Sequence, residues 1–211
     1  MSLIGLLSAF FVTLQMVVIV LIGASLLGIP VAWARMARFK VIQFIAAAFI
    51  GIIRGIPTLA WLFIVFFSVT IAGWTPGALF SAIITLVVVN SAYFAENYRA
   101  GFEAVPSGYK EASAALGLSG WDRTRLVTAP LALKVIVGSS SSIAIQIVKE
   151  TSVASLIGAQ ELTYYANAHV AAGGNGMFYF SVIGVFYLAL SLVLGIFARR
   201  NTNTESTPAT I

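Results

Sequence analysis

Apolar residues run along this chain in long blocks, and polar residues collect in the gaps between them. A helix needs roughly 20 mostly apolar residues to cross about 30 Å of hydrocarbon, because each residue adds about 1.5 Å and every backbone polar group must be satisfied internally. About five blocks reach that length: Leu7 to Trp33, Pro57 to Gly73 with a helical lead-in from Val41, Ala78 to Tyr98, Leu131 to Ile157, and Phe178 to Phe197. The expected fold class is all-α, a polytopic membrane protein with about five transmembrane helices. A secretory signal peptide does not explain the first block: no Lys or Arg precedes it, it outruns the usual ~7–15-residue apolar core, and its charges follow it. It is expected to be a retained helix.

Composition supports the membrane assignment. Of 211 residues 60% are hydrophobic and 9% charged, too little charge to keep a soluble domain of this size dissolved. The absence of cysteine excludes disulfides, iron–sulfur clusters and thiolate zinc sites. A net charge of +5 could serve nucleic acid, but the basic residues sit between apolar runs, where they mark cytoplasmic connections instead. Arg35, Arg38 and Lys40 follow the first block; Arg99, Lys110, Arg123, Arg125 and Lys134 follow the third; Arg199 and Arg200 follow the last. The connections at Trp74-Thr75-Pro76-Gly77 and from Ala159 to Asn175 hold no Lys or Arg. Alternating helices then place the N-terminus outside and the C-terminus inside. Residues 1–200 are expected to form one transmembrane domain without internal repeat, and the polar stretch 201–211 a disordered tail.

About thirty residues, roughly 99–130, join the third and fourth blocks, and they are patterned for structure. After Pro106-Ser107-Gly108, the segment Tyr109 to Leu116 is rich in helix formers, and Gly117 suits a C-terminal cap. Ser119-Gly120-Trp121-Asp122 has the spacing of a capping box, in which the Ser119 hydroxyl takes an amide and the Asp122 carboxylate returns the bond. This predicts a second short helix ending before Pro130, which then opens the fourth span. The resulting knob presents Ala112, Ser113, Ala114 and Ala115, a surface that another protein can approach closely. Trp121, Arg123 and Arg125 would equally suit a pair of helices lying on lipid.

Glu111-Ala112-Ser113, then Gly117, Val127 and Pro130, resembles the EAA motif of importer permeases in the ATP-binding-cassette superfamily: EAA, three residues, Gly, nine residues, then I-x-L-P. The stretches Arg54-Gly55-Ile56-Pro57, Tyr93 to Gly101, Ala104-Val105-Pro106 with Gly108, Lys149 to Gly158, and Glu161-Leu162 resemble the polar amino-acid branch, of histidine and glutamine permease type. Departures are Ser113 for the second Ala, Val127 and Ala129 for Ile and Leu, Leu131 for a frequent Gln, and Ser139 to Ser142 where Gly-Asn is usual. The resemblance implies that Glu111, Ala112 and Gly117 belong to a coupling helix seated in a groove of an ATPase. It also implies ABC ATPase subunits carrying ATP and Mg, a second permease chain, an extracytoplasmic solute-binding protein, and a place in the bacterial cytoplasmic membrane.

Charges inside spans are costly, about 2.5–3.5 kcal/mol each at mid-bilayer on insertion scales, and normally face a partner or water. Lys149 and Glu150 lie in the fourth block, Arg54 leads into the second, Asn90 lies in the third, and Gln146 sits one turn before Glu150 on the same face. Two roles are open to these residues: a substrate path between two permease chains, with Ser139 and Ser142 letting helices approach, or pairing of Lys149 and of Glu150, within or between subunits, that merely holds the bundle together. Neighbouring residues diverge by about 100° on a helix, so each needs its own partner, which weights the packing role. Glu96 is placed for an ordinary pair with Arg99. His169 is expected to be a solvated loop residue, and Phe66, Phe67, Phe186 and Tyr187 to face lipid or pack. No catalytic or metal site is expected: G-x-x-x-x-G-K-S/T, H-E-x-x-H and G-x-S-x-G are all missing from the sequence. ATP hydrolysis must then come from another chain. The competing classes are an ion-coupled secondary transporter or channel, which the missing repeat disfavours, and a non-transporting scaffold, which the polar residues of the fourth block disfavour.

Overall fold

The computed structural model describes residues 3–68 and 76–202, with side chains as far as Ile196. Its elements are α1 (Leu3–Arg35), α2 (Lys40–Gly55), α3 (Thr58–Ser68), α4 (Ala78–Glu103), α5 (Ser107–Ala115), α6 (Gly120–Asp122), a π-helical segment (Arg123–Thr128), α7 (Ala129–Thr151), a 3₁₀ segment (Ser152–Ile157), α8 (Leu162–Ala171) and α9 (Gly176–Thr202). Among the described residues there is no strand. Four stretches are long and apolar enough to span a membrane, and a fifth is formed by α2 and α3 if that pair, bent by 97°, is one broken span. The expected all-α polytopic class is what the chain adopts. The lead-in from Val41 proves to be a 16-residue helix in its own right. Its break falls at Ile56-Pro57, where the proline disfavours helical backbone in the residue before it: Ile56 is extended, with φ −100° and ψ 132°.

The core lies where α1, α4 and α7 meet. Met16, Val20 and Ala24 of α1 close against Ala82 and Leu86 of α4 and Ile147 and Val148 of α7. Small residues set the spacing: a Cβ on Gly101 would come within 2.3 Å of the Ile136 side chain on α7, so any larger residue there must displace Ile136 or the helix that carries it. Asn97 bridges the same pair, donating to the Ile136 carbonyl at 3.2 Å and to Ser140 at 3.0 Å. Ser139 bonds Asn97 as well, yet it and Ser142 are exposed, so the close approach rests on Gly101 rather than on the serine run. By contrast only 6% of the α9 span is buried, leaving Val185, Leu188 and Val193 for lipid or another chain.

The projection between α4 and α7 follows the predicted capping with two exceptions. Gly117 sits at φ +78°, its N–H reaching the Ala114 carbonyl at 3.0 Å while Leu118 N–H reaches Ser113 at 3.2 Å, which closes α5 as a Schellman turn. The Ser119 hydroxyl accepts from Asp122 N–H at 3.2 Å, and it donates to the Asp122 carboxylate at 2.6 Å, so the acid answers the hydroxyl and not the Ser119 amide. The second and larger exception is the expected end before Pro130. Residues 120–157 run as one 38-residue helical rod. Proline lacks the N–H that Leu126 would need, and its ring crowds that carbonyl; widening Arg123–Thr128 into π turns absorbs the defect without a break. The disordered-tail expectation falls on residues outside those described, apart from Asn201 and Thr202, which complete α9.

Candidate functional site

Glu150 lies in the last turn of α7, half-buried, and three helices supply its partners. Oε1 accepts from Thr58 Oγ1 and from Gln146 Nε2, both at 3.0 Å, and Oε2 accepts from Asn90 Nδ2 at 2.7 Å. All three donors are neutral, and no cation pairs with this carboxylate among the described residues. The 97° bend makes the arrangement possible, because it turns Thr58, the first residue of α3, toward the α4–α7 seam. Asn90 is fully buried; its amide group is spent on Glu150 and the Leu86 carbonyl at 2.9 Å, while its Oδ1 has no partner among the described residues. Tyr93, one turn along α4, carries the Arg54 guanidinium 4.9 Å above its ring. Attraction to the ring face holds that cation beside the cluster.

Of the residues named for a substrate path, the structure therefore joins Asn90, Gln146 and Glu150, and sets Arg54 next to them through Tyr93. Lys149 is separate: it is exposed and forms no ion pair among the described residues of this chain. The ~100° between successive residues sends it and Glu150 to different faces. Thr58 went unrecognised, and its only signal was a hydroxyl directly after Pro57.

The projection carries the second group. Glu111 and Ala112 of α5 and Gly117 just beyond its end are all exposed, and the one buried residue of α5, Ser113, bonds the Lys110 carbonyl at 2.9 Å. Ser113 thus belongs beneath the knob and not to its small-residue surface. Behind the knob, Glu96 on α4 receives Arg99 at 3.0 Å and 2.7 Å and Arg35 from the end of α1 at 3.6 Å. The Arg99 pair follows from helical spacing; Arg35 lies too far away in sequence to be read.

On the opposite side, Glu161 is fully buried and caps α8, accepting from Tyr164 N–H at 2.9 Å and from the Tyr187 hydroxyl. Burial pushes its carboxyl above the usual carboxylate range, against the lowering effect of the Tyr187 and backbone donors. Tyr187 is accordingly a half-buried hydrogen-bond donor and not merely an apolar packing group. Thr13 of α1 accepts the Leu162 N–H at 3.1 Å and ties the same corner to the bundle. His169 is in α8, half-buried, its ring 4.2 Å from Tyr165 and 4.9 Å from Tyr179, with Nδ1 at 2.9 Å from the Tyr165 carbonyl. The expected solvated histidine is replaced by an aromatic stack, because residues four apart share a helix face.

A bundle of long apolar helices with a polar cluster inside it and a rigid capped projection at one end defines a membrane transport subunit. Residues 24–202 match the family described as binding-protein-dependent transport system inner membrane component, and the chain belongs to that family. It is 31% identical to the glutamine transport system permease protein GlnP of Escherichia coli over 190 residues, covering 89% of this chain and 87% of that one. It is 29% identical over 190 residues to a probable glutamine ABC transporter permease protein, GlnM, of Bacillus subtilis, with the same coverage. Among solved structures, an amino acid ABC transporter crystallised with histidines superposes with a TM-score of 0.84 at 28% identity, covering 93% of this chain and 94% of the other.

Proposed function

We propose that this chain forms the translocation path for a polar amino acid and couples its import to ATP hydrolysis by a separate ATPase. The observation that carries the substrate assignment is the Glu150 carboxylate, held by three neutral donors with no cation paired to it. A charge kept in the membrane interior without a counter-ion is costly, and an arriving ammonium group lowers that cost. The buried Asn90 Oδ1 offers a second acceptor, and Arg54 a cation for the substrate carboxylate. The names of the permeases similar to this chain support the same substrate class.

The coupling role rests on the exposed Glu111, Ala112 and Gly117 and on the stiffness of the capped knob beneath them. Two copies of the chain, or this chain with a second permease, would meet two ATPases carrying ATP and Mg on the cytoplasmic side. A solute-binding protein would deliver cargo to the outer side. The Lys and Arg bias supports this orientation in the bacterial cytoplasmic membrane. The test is reconstitution of the chain with its ATPase and binding protein in proteoliposomes, scored as ATP turnover against a panel of amino acids. Stimulation by one polar member is expected; stimulation by none, or uptake by the chain without nucleotide, overturns the proposal.

A further inference from the structure

At the same end of the bundle as the projection, two cavities lie on either side of Phe102. One, about 320 Å³, is lined by Lys110, Gly120, Arg123, Thr124 and Thr128 together with Phe102. It holds two cationic side chains and no carboxylate. The nearest acids in sequence are engaged or turned away: Glu103 is held by Arg99, Asp122 by Ser119, and Glu111 does not line the cavity. Arg123 Nε is buried and has no hydrogen-bond partner among the described residues, and the guanidinium lies over Gly120, 3.8 Å from where a Cβ would stand. An orphaned guanidinium N–H beside a lysine in a concave site is complementary to an oxyanion.

The other cavity, about 230 Å³, is apolar and is walled by Trp33 and Met36 of α1, Tyr98 of α4, and Leu133 and Ile136 of α7, with Phe102 again. Trp33 is 71% exposed and Leu133 60%, so the groove opens sideways out of the bundle. Trp121, 72% exposed, stands on the α6 turn beside the basic cavity, the kind of side chain favoured at a membrane–water boundary.

We infer that the two cavities form one site for an anionic phospholipid of the cytoplasmic leaflet, its phosphate held by Lys110 and Arg123 and an acyl chain lying in the groove between α1, α4 and α7. A basic pocket alone would suit any phosphate; the adjoining apolar groove at bilayer depth selects a lipid. The headgroup then bridges the coupling helix, which carries Lys110, to the π-helical start of the α7 rod, which carries Arg123. Lipid charge is thereby linked to the stiffness of the coupling path. The inference needs only the cytoplasmic placement of the projection and stands apart from the choice of cargo.

The test is native mass spectrometry of the full chain, alone and with its ATPase bound, after exchange into equal phosphatidylglycerol and phosphatidylcholine. Phosphatidylglycerol should be retained at least about fivefold over phosphatidylcholine. The double variant Lys110→Ala, Arg123→Ala should lose that preference, whereas Arg125→Ala, whose side chain lies outside the cavity, should keep it. In the unaltered chain, acyl-brominated phosphatidylglycerol should quench tryptophan fluorescence more than brominated phosphatidylcholine does, a readout independent of variant folding. Equal retention of the two lipids, equal loss in the Arg125→Ala control, displacement by millimolar inorganic phosphate, or loss of the lipid when the ATPase binds would each overturn the inference.

Discussion

Glu150 and Glu96 are both half-buried carboxylates, yet their surroundings differ in kind. Glu96 meets two arginines, Arg99 from its own helix and Arg35 from α1, so its charge is cancelled within the chain. Glu150 meets only the neutral groups of Thr58, Asn90 and Gln146, so its charge is oriented but not cancelled. The first arrangement fastens two helix ends together and leaves nothing over for a ligand. The second fixes a carboxylate in place while leaving its attraction for a cation unspent. The counter-charge, more than burial, separates a fastening from a site.

The sharpest way to break this contrast is Glu150→Gln. The amide keeps the size of the side chain and removes the charge, and loss of a charge-assisted contact of about 1.5–3 kcal/mol predicts a roughly 10- to 100-fold fall in uptake. Thermal stability of the purified chain should hold, and a variant that transports normally would return Glu150 to a packing role. Next in size is Gly117→Pro. The ring fixes φ near −65° where the chain needs +78°, and it deletes the N–H that closes α5 on Ala114. Insertion should be intact while substrate ceases to stimulate the ATPase; unchanged stimulation would count against the elbow as part of the coupling path.

Thr13→Val tests a scaffold element that bonds neither carboxylate. It strands the buried Leu162 N–H, which should cost about 1–3 kcal/mol in unfolding by denaturant, with substrate specificity unaltered. Glu96→Gln should cost no more than about 1 kcal/mol, because the ion pairs are partly solvated, and should leave uptake close to that of the parent. A collapse of uptake in Glu96→Gln with Glu150→Gln silent would invert the comparison. The smallest effect belongs to Lys149→Ala, expected within about 0.5 kcal/mol in stability since the side chain is exposed and pairs with no acid among the described residues.

The spans were legible because length and apolarity alone decide them, and the α5 cap because Gly117 is a local requirement. Gln146 with Glu150 was legible for the same reason, being one turn apart on one helix. Asn90 and Glu150 were each visible as polar residues in apolar surroundings, but their contact spans sixty residues, and no periodicity encodes it. Thr58 depends on a bend of 97° whose direction the sequence does not state. Arg35 against Glu96 and Tyr187 against Glu161 are likewise tertiary facts. Pro130 misled for a physical reason: a proline near the start of a span ordinarily marks its first turn, and here the preceding turns widened to carry the helix through it.

That uninterrupted passage through Pro130 gives the chain a crank. Thirty-eight residues at 1.5 Å each make a shaft about 57 Å long, reaching from the exposed knob past Glu150 to Ile157. The shaft changes its winding twice, in the π turns of Arg123–Thr128 and the 3₁₀ turns of Ser152–Ile157, but no loop interrupts it. To the extent that those turns hold, a sideways push at the knob end would carry the carboxylate and the far tip in the same stroke, the tip moving opposite to the handle if the fulcrum lies between them.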